Sequence, residues 1–185
     1  LGPCPETPGH LSQQAELSLR RLRLERVELF QLHRVDPQVP LEDQVGAPKQ
    51  LQDEGKIRHI GLSEVTVEQI ERARTVAPIV SIQNKYGLID RRYDPELDYC
   101  EREGLGFIAW KPLAGAARPA AGSALARVAA ETGATPAQVA LAWLLHRSPV
   151  MMPIPGTSSA GHLRSNMAVE GIALDEKQMA LLDEG

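Results

Sequence analysis

Val27–Asp36 reads VELFQLHRVD. The run Val27–Leu32 has the length and apolar content of a strand. It closes on His33, followed by Arg34, Asp36 and Pro37. A buried strand that ends in histidine carries an imidazole to the rim of a sheet, and in barrel-type α/β proteins the active site is built from side chains at the carboxyl ends of the strands. Taken alone, His33 fits better as a polar residue that merely closes a strand. The rest of the chain decides between the two.

Upstream, Thr7-Pro8 is a helix start, with threonine as cap and proline in the first turn. Leu11, Ala15, Leu19 and Leu22 then recur at helical spacing and mark one apolar face. Downstream, a helix is expected over about 41–54, closed by Gly55 and kinked by Pro48. Ile57–Leu62 is a second strand ending at Ser63-Glu64. Thr66 and Gln69 form a capping box, opening a helix with Val67, Ile70, Ala73 and Ala77 on its apolar face. Ile79–Ile82 is a third strand, ending at Gln83-Asn84. A short helix over 94–103 precedes a fourth strand, Gly106–Trp110. Residues 113–122, LAGAARPAAG, form an Ala/Gly/Pro loop expected to be a mobile lid or without fixed structure. A helix follows over about 123–131. Thr135 and Gln138 form a second capping box, and its helix, VALAWLL, is apolar nearly all round and so buried. Val150–Ile154 is a fifth strand, ending at Pro155-Gly156-Thr157. Helices over about 159–167 and 175–183 complete the chain.

Strands alternating with helices give a parallel sheet. The strands lack clean polar alternation, which suits a sheet covered on both faces. With 185 residues the chain is long enough for a single domain with a real core. Its formal charge of −4 argues against a nucleic-acid partner, since phosphate-binding surfaces need an excess of Lys and Arg. No apolar run approaches the roughly 18–20 residues of a membrane span, and no secretory leader opens the chain. Cys4 and Cys100 have neither metal-ligand spacing nor the number for a disulfide framework. A reducing cytoplasm is the expected location, with no bound metal.

The strand ends share a chemistry. An imidazole at His33 can donate a proton to a carbonyl oxygen. Ser63 and Gln83 can bind an amide. Trp110 can stack on a flat ring. Gly156-Thr157 ahead of a short helix offers backbone amides to a phosphate. Together these suit a planar, amide-bearing, phosphorylated cofactor. Gly104 and Gly106 precede a strand instead of following one, so a Rossmann site is not indicated.

Six stretches now carry a resemblance over nearly the whole chain: LFQLHRVD (29–36), EGKIRHIGLSEV (54–65), VSIQNKYGLIDR (80–91), LDYCEREGLGFIAWKPLAG (97–115), GATPAQVALAWLL (133–145) and PVMMPIPGTSSAGHLRSN (149–166). In order and spacing the sequence resembles the aldo-keto reductase family. The resemblance implies a TIM-type (β/α)8 barrel that uses NADPH, without a metal, to reduce aldehydes and ketones. It implies that His33 is the active-site histidine that orients or polarises the carbonyl. Ser63 and Gln83 then match groups that bind the nicotinamide carboxamide, and Trp110 the aromatic beneath the nicotinamide. Leu113 and the loop after it match the cover of the pyrophosphate. Gly156, Thr157 and Ser158 match the adenosine-phosphate loop, and Asn166 an adenine contact. The chain departs from the pattern at Glu64, where asparagine is common. It also departs at Gly156 and His162, where many members place the Lys and Arg that hold the 2′-phosphate, although Arg164 is near. NADP(H) is the expected cofactor, with NAD(H) also compatible.

The family's chemistry uses Asp, Tyr and Lys besides His, from its first three strands. This chain matches only the last five. Tyr86, Tyr93 and Tyr99 lie in the wrong segments to stand in for the missing Tyr. A full barrel takes about 250 residues, so five strands form an incomplete barrel with an open edge and exposed interior. The chain begins with Leu1 and is expected to be a truncated reductase of small-molecule carbonyl substrates, inactive in this form, with self-association through the open edge. The alternatives are a catalytically dead remnant that binds a nucleotide or a partner, and a different phosphate-binding β/α-barrel enzyme.

Overall fold

The computed structural model describes residues 7–116 and 118–184. Strands and helices alternate: α1 (Pro8–Leu22), β1 (Val27–Leu32), α2 (Leu41–Asp53), β2 (Ile57–Ser63), α3 (Val67–Arg74), β3 (Ile79–Lys85), α4 (Asp94–Glu103), β4 (Gly106–Trp110), α5 (Ala124–Thr132), α6 (Pro136–Arg147), β5 (Met151–Ile154), α7 (Ala160–Met167) and α8 (Glu176–Glu184). The sheet order is β1-β2-β3-β4-β5, open, with β1 and β5 at its ends. This is the α/β architecture of an incomplete (β/α) barrel. The described residues form two compact units. One comprises residues up to Gln83 with Arg102–Gly106, and the other Asn84–Glu101 with residues from Phe107 onward.

In the first unit, Thr7 caps α1 by accepting the His10 N–H, and Arg23 ends the helix in the left-handed region. β1 and β2 pair in parallel with Phe30 opposite Ile60 and Leu32 opposite Leu62. β2 and β3 pair with Leu62 opposite Ile82 and Ser63 opposite Gln83, after a register shift between Ile60 and Gly61. Leu32, Ile60, Leu62 and Ile82 are buried, as are Val45 and Leu51 of α2 and Ile70 and Ala73 of α3. Each such Val, Leu or Ile side chain contributes about 1.5–3 kcal/mol, and the alanine less. The alternate row is polar. Gln31 lies opposite Gly61, which lies opposite Ser81. Gln31 Nε2 donates to Ser81 Oγ at 3.2 Å. A Cβ on Gly61 would collide with that hydroxyl, so glycine is what lets this bond cross β2.

In the second unit, β4 and β5 pair with Phe107 opposite Met151 and Trp110 opposite Ile154. Phe107, Ala109 and Met151 are buried, along with Val139–Leu144 of α6. The Tyr86 ring meets Phe107 edge-on at 5.5 Å and stacks on Trp143 at 6.2 Å. The Arg91 guanidinium lies 4.6 Å over the Trp143 ring. Trp143 Nε1 donates to Asp183 at 2.8 Å, fastening α8.

Both capping boxes form. Several expectations change. Leu22 is 59% exposed, because α1 ends there and only Leu11, Ala15 and Leu19 are buried. α2 contains Pro48, as expected, with the proline buried, and ends at Asp53. β3 extends to Lys85, and β5 begins at Met151. Leu145 is exposed, so α6 is not buried all round. Coverage on both faces holds for β2 from Ile60 to Ser63 but fails at the sheet ends, where Leu29 is 42%, Met152 46% and Ile154 48% exposed. The described part of the 113–122 loop is a run of turns. Ala114 and Ala116 donate back to Lys111 and Leu113, and Ala116 is buried. The short 3-10 turn Ala168–Gly171 has no signal in the sequence. Cys4 lies outside the described residues.

Candidate functional site

The first unit brings three of the expected residues together at the ends of β1, β2 and β3. His33 directly follows β1 and is exposed. Arg34, half-buried, donates through Nη1 to the His33 carbonyl at 2.8 Å and to Ser63 Oγ at 3.2 Å. Ser63 Oγ donates to the Gln83 carbonyl at 2.8 Å. The Glu64 N–H reaches the same carbonyl at 3.1 Å. To do so Glu64 adopts φ +56°, a conformation that costs an L-residue about 1–2 kcal/mol. The Gln83 side chain is half-buried. Behind His33, the fully buried Gln44 of α2 holds the next turn. Its Oε1 accepts from the Asp36 N–H at 2.9 Å, and its Nε2 donates to the carbonyls of Asp36 at 2.9 Å and Val39 at 2.7 Å.

The second unit holds the other expected residues. Trp110 ends β4 half-buried, with Lys111 Nζ 5.1 Å from its ring centre. Lys111 takes φ +50°. It lines a cleft of about 400 Å³ with Pro112, Leu113, Ala114, Ile154, Pro155 and Gly156. Leu113 and Gly156 therefore share one cleft. Nothing lies within 4 Å of a Cβ placed on Gly156. A neighbouring apolar cleft of about 470 Å³ includes Gly156 and Asn166, with Leu141, Leu163 and Met167. Thr157, Ser158 and His162 are exposed and line neither cleft. Thr157 Oγ1 accepts the Ser159 N–H at 3.1 Å, and Ser159 Oγ caps α7. Helix α7 buries none of its residues and is tied down by Gln138 Nε2 donating to the Ser165 carbonyl.

Behind Trp110, the Tyr86 N–H points at the Trp110 carbonyl, and Gly87 packs so closely on the Pro112 carbonyl that a Cβ would sit 2.5 Å from it. The Tyr86 hydroxyl donates to Asp94. Burial, then that carboxylate, raise its pKa far above the ordinary phenol range. Such a hydroxyl stays protonated. Burial, then Glu96, push the Cys100 thiol up to about 12, which makes it unreactive. Arg92 and Lys85 hold the Asp90 carboxylate down to about 2. Among the described residues no group of three or more His, Cys, Asp or Glu is placed to hold a metal ion, and no helix is long and apolar enough to cross a membrane.

Sequence reasoning missed Arg34, Gln44 and Lys111. Arg34 and Lys111 directly follow the two singled-out strand-end residues, and that adjacency is the signal that could have found them. Gln44 gives none, because its partners are backbone groups of a turn.

The model of the aldo/keto reductase family matches residues 5–185. The chain belongs to that family. It is 45% identical over 182 residues to an uncharacterised oxidoreductase of Schizosaccharomyces pombe, covering 98% of this chain and 59% of that protein. It is 40% identical over 183 residues to pyridoxine 4-dehydrogenase of Escherichia coli, covering 96% of this chain and 64% of that enzyme. This aldo-keto reductase chain thus spans about three-fifths of the length of these relatives. An aldo/keto reductase of Klebsiella pneumoniae, solved with NADP and acetate, superposes with a TM-score of 0.82 at 32% identity, covering 96% of this chain and 67% of that one.

Proposed function

We propose that the chain is the cofactor-holding part of an NADP(H)-dependent oxidoreductase that interconverts small carbonyl compounds and alcohols in the cytoplasm. The observation that carries this reading is the aldo/keto reductase match across residues 5–185, together with the place of His33, Gln83, Trp110 and Gly156, each within two residues of the carboxyl end of a strand. The relatives named above support it as an oxidoreductase, a dehydrogenase and an NADP complex.

The residues present fit such a cofactor. In the second unit, an open glycine and a lysine ammonium line one cleft, which suits a phosphate, and the half-buried Trp110 offers a flat ring. Leu113 would cover the pyrophosphate. Gly156, Thr157 and Ser158 would hold the adenosine phosphate, with His162 and Asn166 beside it. In the first unit, the Gln83 amide would hold the carboxamide, and Ser63 belongs to the same strand ends. NADPH, when bound, supplies the hydride. His33 would hydrogen-bond the substrate carbonyl oxygen and keep it oriented. No residue of this chain matches the family's Tyr, Lys or Asp, so the 185-residue chain holds the cofactor without turning over.

The test is a fluorescence titration of the purified chain with NADPH, with and without Trp110→Ala. Stacking of this kind is worth about 0.5–1.5 kcal/mol, so the variant should weaken binding about 2- to 10-fold. No nicotinamide dinucleotide binding, or an unchanged Kd in the variant, would overturn the cofactor assignment. NADPH-dependent turnover of a simple aldehyde above blank would overturn the claim of inactivity.

A further inference from the structure

The turn between β3 and α4 is the base on which the segment after Trp110 lies. The Tyr86 N–H meets the Trp110 carbonyl at 3.4 Å. A Cβ on Gly87 would sit 2.5 Å from the Pro112 carbonyl, and one on Gly115 would touch the Ile89 side chain at 3.4 Å. Tyr86, Gly87 and Ile89 thus back Trp110, Pro112 and Gly115 in turn. Two backbone bonds close the turn itself, from the Gly87 N–H to Asp90 at 3.2 Å and from the Asp90 N–H to Gly87 at 3.0 Å.

Arg91 ties this turn to the end of α8. Its Nε donates to the Leu88 carbonyl at 3.0 Å, its Nη1 to the Asp183 carbonyl at 3.0 Å, and its Nη2 to the Leu182 carbonyl. The last carbonyls of a helix lack partners within it and carry its negative end, so a guanidinium suits them. No described residue in the last turn of α8 is basic, and Arg91 brings that charge from outside the helix. Its guanidinium also lies over the Trp143 ring, and its side chain is 23% exposed. The turn, Gly115 and α8 leave a cleft of about 340 Å³ between them, with Leu88, Ile89, Leu125 and Leu182 in its walls. Packing among the three is therefore incomplete. The guanidinium fork, which reaches three carbonyls at once, makes the join, and an ammonium on a flexible stem could not hold them in the same geometry.

We propose that Arg91 is a positioning residue for the Pro112–Ala116 segment. By fastening the turn at 87–90 to α8, it holds the surface on which that segment rests and keeps the segment ordered before a dinucleotide arrives. That the segment covers the cofactor pyrophosphate rests on the NADP(H) reading above.

The experiment compares NADP⁺ with adenosine 2′,5′-bisphosphate, which lacks the pyrophosphate bridge and the nicotinamide. Dissociation constants are measured for the wild-type chain, Arg91→Lys and Arg91→Ala. In Arg91→Ala, binding of the dinucleotide must also order the segment, so it should weaken about 3- to 10-fold. The bisphosphate does not reach the segment and should stay within about twofold of wild type. Arg91→Lys, which keeps the charge and loses the fork, should restore less than half of the loss. Equal weakening of both ligands would mean that the variant has damaged the unit as a whole, and it overturns the proposal. So does unchanged NADP⁺ binding in both variants. Should Arg91→Ala fail to fold, Arg91→Lys carries the comparison.

A second measurement needs no ligand. The Ala114 and Ala116 N–H groups bond back to Lys111 and Leu113 within the segment. Their hydrogen exchange should quicken in Arg91→Lys and more so in Arg91→Ala, while the Val139 amide in α6 keeps its wild-type rate. Unchanged rates at Ala114 and Ala116 overturn the proposal. Should the chain bind neither ligand, the NADP(H) reading falls, and the exchange rates alone decide the role of Arg91.

Discussion

The first unit ties its strand ends together with side-chain hydrogen bonds, whereas the second carries a cluster of packed rings next to its strands. Around β1–β3, a polar row crosses the strands: Gln31 to Ser81 over Gly61, and Arg34 to Ser63 to the Gln83 carbonyl. Around β4 and β5, the Trp110 carbonyl accepts from the Tyr86 N–H at 3.4 Å, and the Tyr86 ring is wedged against Phe107 and Trp143. The residues sharing the Trp110 row on β5, Met152 and Ile154, are apolar and exposed. On the function proposed above, the difference tracks what each end group would do. A histidine or an amide must aim a proton or a lone pair, and directional bonds set such aim. A ring that serves as a platform needs only a fixed plane, and close packing supplies one.

The largest test of this contrast is Trp143→Ala. It removes a fully buried indole, the stack on Tyr86, the seat of Arg91 and the bond to Asp183. Loss of a buried aromatic of this kind costs about 3–5 kcal/mol. Urea unfolding should shift by that amount, and amide exchange should rise in the second unit first. Equal loss of protection at Leu62 and Ser63 would break the comparison, because it would mean that the rings hold both units.

That cluster also marks where the sequence stops being readable. The strand at Val27–Leu32, the capping boxes at Thr66 and Thr135 and the ending of β4 at Trp110 rest on local signals, and each is where periodicity and capping chemistry put it. The positions of His33 and Trp110 at strand ends were legible for the same reason. The bond from Arg34 to Ser63 was not, because it joins the segment after β1 to the end of β2. Gln44 was not, since a glutamine in a helix looks solvated until a turn closes over it. Leu22 kept helical spacing but is the last residue of α1 and is exposed there. The exposure of Ile154 depends on what lies beside β5, and no residue of β5 encodes that.

Gln44→Ala probes the first unit in the same way and should have a smaller effect. The alanine removes the side-chain partner of the Asp36 N–H and of the Val39 carbonyl, and one of the partners of the Asp36 carbonyl, which also accepts from the Val39 N–H at 3.2 Å. Unsatisfied buried groups cost about 1–3 kcal/mol each, and water entering the space offsets part of this. We expect a loss of about 2–3 kcal/mol in urea unfolding. Gln44→Glu should recover less than half, since a carboxylate keeps the acceptor and loses both donors. Full recovery by Gln44→Glu would mean that packing, not directional bonding, holds the turn after His33.

The smallest effect expected is the pH response of the turn at Asp90. Asp90 and Gly87 exchange backbone hydrogen bonds, and the Asp90 carboxylate pairs with Arg92 at 2.7 Å and Lys85 at 2.8 Å. Its pKa in the folded chain, about 2, lies below the roughly 3.9 of an unfolded aspartate. The folded state therefore binds this proton less readily. The stabilisation is fully present above about pH 4 and fades as pH falls towards 2. Arg92 is largely exposed, so screening holds the contribution to about 0.5–1 kcal/mol. The Arg34–Ser63–Gln83 link contains nothing that titrates in this window. Asp90→Asn should thus lower the Tm by about 1–4 °C at pH 7 and flatten part of its fall between pH 4 and 2. Exchange at the Gly87 amide should rise on acidification in the wild type but not in the variant, while the Glu64 amide should show no such difference. Identical acid slopes in the two proteins would mean that the turn, like the platform it adjoins, is held by packing alone.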